Sequence, residues 1–160
     1  MSKIIDFYNY IDKIAPFGTQ ESWDNSGFLV GDGNKTVKKV LLALDVTEPV
    51  LNEAKEKGAD LIISHHPVIF GALKEFHPNN IAFLAAEKGI AVISAHTCLD
   101  IAEGGVNDCL AAALELKNVV KVDDGEGLMR MGELENELSC KEFINHVAEK
   151  LNVGGIKYTP

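Results

Sequence analysis

Two neighbouring histidines, His65 and His66, come directly after the apolar run at residues 60–64. Imidazole is a common ligand of divalent transition metals. Because successive side chains of an extended chain point to opposite sides, we expect the two rings to reach two different ions rather than to share one. The pair therefore predicts a site for two metal ions, and its alternative is that the histidines only cap the end of a strand or a loop.

A second set of polar side chains occupies alternate positions of the segment 96–100, at His96, Cys98 and Asp100. If this segment is extended, all three side chains face one site. We predict Asp100 as a metal ligand, since carboxylate with imidazole suits zinc, iron, manganese or nickel without selecting among them. We expect His96 to orient a ligand or to contact substrate rather than to bind metal, and Cys98 to be a buried side chain rather than a ligand.

The glycine pair Gly104 and Gly105 opens a predicted helix at about 104–115. Backbone N–H groups at the start of a helix suit an anion such as a phosphate. The commoner alternative is that these glycines only make the turn. If they do bind an anion, a phosphorylated ligand would lie beside the predicted metals.

The elements that must position these residues alternate between helix and buried strand. Residues 21–34 are rich in polar residues and glycine, and are predicted to be a loop that Trp23 packs down and Asn25 ties to the backbone. The predicted strands, of which the first three are buried on both faces, are at residues 40–44, 60–64 and 90–94, with an exposed strand at 127–134 and the beginning of another at 155–158. Helices are predicted at residues 3–15, 47–57, 79–88, 104–115 and 139–151.

This alternation predicts an α/β fold with a mostly parallel sheet and helices on both of its faces. In such sheets, ligands bind at the carboxyl ends of the strands. His65 and His66 follow one buried strand, and the segment 96–100 follows the next. The predicted metal ligands therefore occupy the position where this fold class places its sites.

Composition narrows the classes of function. The formal net charge is −9, and the longest basic cluster is the pair Lys38-Lys39, so direct nucleic-acid binding is not expected. An acidic surface suits divalent cations, although solubility is its commoner reason. The three cysteines are odd in number and widely spaced, which is typical of a reducing compartment. With no apolar stretch approaching a membrane span, we expect a cytoplasmic protein.

Four stretches together resemble the GTP cyclohydrolase type 2-like proteins, also called the NGG-interacting-factor family. They are Trp23-Asp24-Asn25 with Gly27 and Gly31, then residues 43–47, 64–67, and 95–100 with 104–107. The resemblance implies two interleaved α/β halves that assemble into toroidal homohexamers, with dinuclear metal sites facing a cavity. By position, it implies that His65, His66 and Asp100 are the ligands contributed by the first half.

The chain departs from the family pattern in two places. The family supplies a further histidine and a bridging glutamate from a Gly-His-x-x-x-Glu motif, whereas the only histidine after residue 100 is His146, with nothing matching around it. Cys98 stands where the family usually has asparagine. We therefore predict that residues 1–160 form the N-terminal α/β lobe, the first half of a two-lobed dinuclear-metal fold, and that the family's C-terminal lobe is absent from this chain.

The function expected from this resemblance is metal-dependent hydrolysis of a nucleotide-like or other small phosphorylated substrate, with two divalent ions as cofactors. The alternative is a non-enzymatic, metal-binding regulatory protein in which the metal stabilises the structure and the surface binds partners. The residues name neither the substrate nor the metal.

Overall fold

The computed structural model of the protein describes residues 1–122, 125 and 127–159. The chain forms two compact units, residues 1–102 and a second unit that begins at Glu103. The first unit is built on a four-stranded sheet in the order β1-β4-β3-β2. Its strands are β1 (Gly27–Val30), β2 (Val40–Ala43), β3 (Leu61–Ser64) and β4 (Ala91–Ser94).

The sheet is mostly parallel, as predicted. Strands β2, β3 and β4 run parallel to one another, and β1 pairs antiparallel with β4 at the other edge. The helices of the first unit are α1 (Ile4–Ile14), α2 (Glu48–Glu56), α3 (Ile81–Glu87) and the short α4 (Thr97–Ile101), with a 3-10 turn at Phe17–Thr19.

Helices cover both faces of this sheet, which confirms the predicted fold class. Neighbouring strand residues alternate between the two faces, so each strand contributes to two apolar cores. On one face, Ile62 and Val92 pack with α2 and α3 through Leu51, Ala54, Ala82 and Ala85. On the other face, Leu61 and Ile93 pack with Ile4 and Ile11 of α1 and with Phe17.

The helix boundaries follow from capping residues. Thr47 precedes α2, and its hydroxyl accepts the Val50 N–H at 3.4 Å, while Pro49 lies in the first turn, where a missing N–H costs no hydrogen bond. Gly58 follows α2 with φ +66°, a conformation that favours glycine. The predicted start and end of this helix are confirmed.

Strand β1 lies inside residues 21–34, so the prediction of a continuous loop there is wrong. Phe28 and its neighbours form only four residues of strand, too few to show a period. Their pairing with β4 fixes them as a strand instead. Gly31 follows with φ +117°, and a Cβ at that position would lie 2.7 Å from the Cβ of Ala91. Glycine at this position therefore lets the end of β1 approach β4 closely.

The prediction that β2 is buried on both faces is also wrong. Leu42 is 74% exposed. Strand β2 is the edge strand of the sheet, and Val40, two residues earlier on the same face, packs against the α1-side core whereas Leu42 does not. The apolar run therefore identified the strand. It could not show that the core on the α1 side ends before Leu42.

The second unit contains α5 (Val106–Ala113), the antiparallel pair β5 (Lys117–Lys121) and β6 (Arg130–Glu133), and α6 (Cys140–Lys150). The exposed strand near 127–134 and the helix near 139–151 are confirmed. At the start of α6, Ser139 accepts the Glu142 N–H, and the Glu142 carboxylate accepts the Ser139 N–H at 2.8 Å, a capping box. Strand β5 has no counterpart among the predictions.

Residues 155–158 do not form the predicted strand. They have no regular secondary structure, and no strand in the described ranges pairs with them. An apolar segment becomes a strand only when a neighbour supplies hydrogen bonds. Among the helices of the described ranges, none has the length and apolar character needed to cross a bilayer.

Candidate metal centre

The two neighbouring histidines lie in a bend immediately after β3. The Ser64 hydroxyl donates to the His66 carbonyl at 2.9 Å, while the N–H groups of His65 and His66 donate to the carbonyls of Ala43 and Leu44. Because the extended conformation ends at Ser64, the imidazole rings do not alternate across the chain. Their centroids are 5.1 Å apart. The expectation that the two side chains point to opposite sides is wrong for this physical reason.

The segment after β4 is helical rather than extended. His96 precedes α4 as its N-cap residue, and the Asp24 carboxylate accepts the Thr97 N–H at 3.0 Å in the first turn. The segment is not extended, so the condition under which all three side chains would face one site is not met. Cys98 lies fully buried in the α1-side core, and burial raises the pKa of its thiol. Its expected role as a buried side chain fits this position.

Three imidazole rings converge beside Asp100. One ring nitrogen from each of His65, His66 and His96 lies within 4.8 Å of the others. The ring centroid of His96 is 5.0 Å from that of His65 and 5.5 Å from that of His66. The Asp100 carboxylate lies 3.7 Å from Nε2 of His65. The structure thus brings the residues predicted as ligands into one neighbourhood and adds His96, which we expected to support the site rather than to bind metal.

The Nδ1 atom of each ring faces a hydrogen-bond acceptor. When Nδ1–H donates to a carbonyl or carboxylate, the neutral ring keeps its lone pair on Nε2, and this is the form in which histidine binds a metal. Tautomers are assigned here from these acceptors. The pairs are His65 with the Ala95 carbonyl at 3.0 Å, His66 with Asp45 at 2.7 Å, and His96 with Asp24 at 3.0 Å.

Asp24 is the more enclosed of the two carboxylate acceptors, with a side chain that is 0% exposed against 55% for Asp45. Its carboxylate also accepts the Ser26 hydroxyl at 3.0 Å, the Asn25 N–H at 2.6 Å and both the N–H and the hydroxyl of Thr97. Burial alone would raise the pKa of Asp24, but the hydrogen bonds from Thr97, His96 and Asn25 outweigh it and lower the pKa to about 2. A fixed negative charge therefore lies behind His96.

The residues fit a divalent transition metal. Three imidazole nitrogens and a carboxylate are donors that such ions accept, and the carboxylate–histidine pairs behind them are typical of metal sites. Two donors that bind one ion at about 2.1 Å stand roughly 3.0–3.5 Å apart at octahedral or tetrahedral angles. The 3.7 Å between His65 Nε2 and the Asp100 carboxylate is close to that range. The donor set and its spacing are thus compatible with a metal ion between these side chains.

Asp24 and Asp45 were not among the predicted site residues, although both lie in stretches that carry the family resemblance. Asp45 follows β2 at its carboxyl end, so the rule that selected the histidines also applied to it. Asp24 lies 72 residues from its partner His96, and no local pattern connects the two. The family resemblance therefore covered both carboxylates, whereas the position at a strand end indicated only Asp45.

Gly104 and Gly105 belong to the second unit. The N–H of Gly104 donates to the Asp108 carboxylate at 2.7 Å, and Gly105 is the N-cap residue of α5. A side chain of the same helix thus already accepts one of the N–H groups predicted for an anion. Anion binding at these glycines stays a prediction.

Comparison with known proteins identifies the family of the chain. Residues 2–160 match the Duf34/NIF3 (NGG1p interacting factor 3) family model. The chain belongs to this family. The four stretches that carry its resemblance each contribute a residue to the candidate metal centre: Asp24, Asp45, the His65–His66 pair, and His96 with Asp100.

Two relatives of the chain share the name "GTP cyclohydrolase 1 type 2 homolog". The Clostridium perfringens protein is 38% identical over 165 residues, which cover 98% of this chain and 63% of the relative. The Staphylococcus aureus (strain Mu50) protein is 46% identical over 120 residues, covering 73% of this chain and 33% of the relative. The chain thus spans less than two thirds of the length of either relative.

A solved structure supports the same assignment of fold. The crystal structure of a Staphylococcus aureus hypothetical protein superposes with a TM-score of 0.85 at 32% sequence identity, covering 96% of this chain and 65% of that one. The mostly parallel α/β architecture of this Duf34/NIF3 chain is therefore shared with a relative whose structure is known.

Proposed function

We propose that this Duf34/NIF3 protein is a hydrolase that depends on two divalent metal ions and acts on a nucleotide-like or other small phosphorylated substrate. One observation carries the proposal. His65, His66 and His96 converge, each with an acceptor at Nδ1, beside the Asp100 carboxylate. One nitrogen of each ring lies within 4.8 Å of the others, and an acceptor at Nδ1 leaves the Nε2 lone pair of each ring available for a metal.

The chain's own residues have distinct roles in this proposal. When bound, a divalent metal supplies Lewis acidity and lowers the pKa of a bound water toward neutrality. His65, His66 and Asp100 are the proposed metal ligands. His96 is the third imidazole beside them. Asp24 keeps the His96 ring oriented and contributes a negative charge that partly compensates a cation.

The substrate class rests on a weaker argument. The printed name of the two relatives associates them with GTP cyclohydrolase, and a nucleotide-like substrate for this chain is proposed by that analogy. The His66 side chain is 44% exposed, so a small molecule can reach the cluster from solvent. The homohexamer is likewise proposed from the family resemblance. The cytoplasmic location is proposed from the cysteine content and the lack of an apolar stretch long enough to span a membrane.

The first experiment is metal stoichiometry on the purified protein, loaded separately with zinc, iron, manganese and nickel. We expect two ions per chain in the wild type and fewer in the variants His65→Ala, His66→Ala and Asp100→Ala. His77→Ala is the matched control, because His77 is exposed and faces only Glu75 at 3.0 Å. Equal metal content in all variants would contradict the proposed ligands.

The second experiment measures hydrolysis of GTP and of a panel of other phosphorylated compounds by the metal-loaded protein. We expect turnover that falls at least about 100-fold in Asp100→Ala and not in His77→Ala, since a missing ligand removes transition-state stabilisation. Unchanged turnover in Asp100→Ala would rule out the hydrolase mechanism. Metal-dependent stabilisation without turnover on any compound would favour the non-enzymatic alternative.

A further inference from the structure

Two exposed aromatic rings flank the metal centre. Trp23 is 55% exposed and Phe70 is 56% exposed, and their ring centroids are 6.0 Å apart with 36° between the planes. The expectation that Trp23 packs its loop down is therefore wrong. Both rings instead lie beside His96, with centroids at 5.9 Å for Trp23 and 6.4 Å for Phe70, and both are nearly perpendicular to its imidazole.

The loops that carry these rings are tied together. The Asn25 side-chain amide donates to the Ile69 carbonyl at 2.6 Å, which links the loop of Trp23 to that of Phe70. Asp24, next to Trp23, is anchored by its hydrogen bonds to His96 and Thr97. The two rings thus have fixed supports although their faces remain in contact with solvent.

We propose that Trp23 and Phe70 form a stacking platform for a planar aromatic ring of the substrate, whose polar end reaches the histidine cluster. The proposal rests on the function proposed above for that cluster. Large exposed aromatic rings held side by side are the surfaces on which nucleobases and similar rings stack. The ring centroids of Trp23 and Phe70 lie 5.9 and 6.4 Å from that of His96, so a ring stacked on them would bring its substituents beside the histidine cluster.

The platform selects a class of substrate rather than one compound. Stacking depends on the π-face that every heteroaromatic ring presents, so it tolerates different bases. A ring-bearing phosphate should therefore bind more tightly than its counterpart without a ring. Discrimination between one base and another needs hydrogen bonds to the ring edge, whereas stacking uses only the ring faces of Trp23 and Phe70.

The test uses the fact that Trp23 is the only tryptophan of the chain. Its fluorescence is titrated with AMP, with GMP and with ribose 5-phosphate, exciting at the red edge of the indole band where nucleotides do not absorb. We expect both nucleotides to quench the emission with saturation and ribose 5-phosphate to leave it unchanged. Phe70→Ala should weaken nucleotide binding roughly tenfold, within the range known for loss of one stacking partner.

Phe76→Ala is the matched control, since Phe76 is 54% exposed and contacts the ring of Phe83 instead. Nucleotide affinity should not change in this variant. Equal quenching by ribose 5-phosphate, or wild-type nucleotide affinity in Phe70→Ala, would overturn the platform. The titration requires no turnover, so it tests the platform separately from the hydrolase. Nucleotide quenching without hydrolysis would support the platform and contradict the proposed hydrolase activity. Turnover of nucleotides without any quenching would support the hydrolase and contradict the platform.

Discussion

The two carboxylates that orient histidines in the metal centre differ in their surroundings. Asp24 is fully buried and its partner His96 is 16% exposed, whereas Asp45 is 55% exposed and its partner His66 is 44% exposed. Both pairs use the same contact, from Nδ1 of the ring to a carboxylate oxygen. Asp24 accepts several further hydrogen bonds from neighbouring residues.

Because of this difference, we expect the two carboxylates to contribute differently to the stability of the fold and to the orientation of the histidine rings. A buried carboxylate that satisfies several donors cannot be removed without leaving those donors unpaired. An exposed pair contributes little to folding because water replaces either partner. We therefore expect Asp24 to support both the fold and the site, and Asp45 to support the site alone.

The largest expected effect is that of Asp24→Ala on stability. Removing this carboxylate leaves the Thr97 N–H, the His96 ring and the Ser26 hydroxyl without their acceptor, and we expect the free energy of unfolding to fall by about 3 kcal/mol. Urea unfolding of the metal-free protein measures this change. Asp45→Ala is the control and should lie within about 0.5 kcal/mol of the wild type. Equal losses of unfolding free energy in the two variants would contradict the proposed difference between Asp24 and Asp45.

The next effect is a pH dependence that belongs to Asp24. Its folded-state pKa of about 2 is below the ordinary value of 3.8, so its stabilising contribution is complete above the ordinary value and is lost as the pH falls through the folded one. The shift corresponds to about 2 kcal/mol. In metal-free protein, the stability advantage of the wild type over Asp24→Asn should shrink by about this amount between about pH 5 and about pH 2. A difference that stays constant with pH would contradict the low pKa.

The parallel part of the sheet was predictable because β2, β3 and β4 are short apolar runs separated by helices. Thr47, Pro49 and Gly58 mark the ends of α2 by local chemistry alone. Such signals can be read from the sequence without knowing which elements pack against the helix. Strand β1 and the exposure of Leu42 were not predictable, since pairing with β4 and the reach of a covering helix are tertiary facts.

The site was predictable in its residues more than in its geometry. The rule for strand ends selected His65, His66 and Asp100, which the structure places together. It assumed extended chains after the strands, whereas a bend at Ser64 and the helix at Thr97 redirect the side chains. The support from Asp24 depends on a contact across 72 residues, so only the folded chain reveals it.

The smallest expected effect concerns Asp45 and metal affinity. Asp45→Ala removes the acceptor that orients His66, and loss of such a partner typically costs about tenfold in metal affinity. Competition with a chromophoric chelator measures the affinity. Asp45→Asn is the matched variant, because its amide oxygen still accepts the Nδ1–H and should recover most of the loss. If Asp45→Ala binds metal as tightly as the wild type, solvent orients His66 as well as Asp45 does. Of the two carboxylate–histidine pairs, only Asp24 with His96 would then be preorganised by the protein.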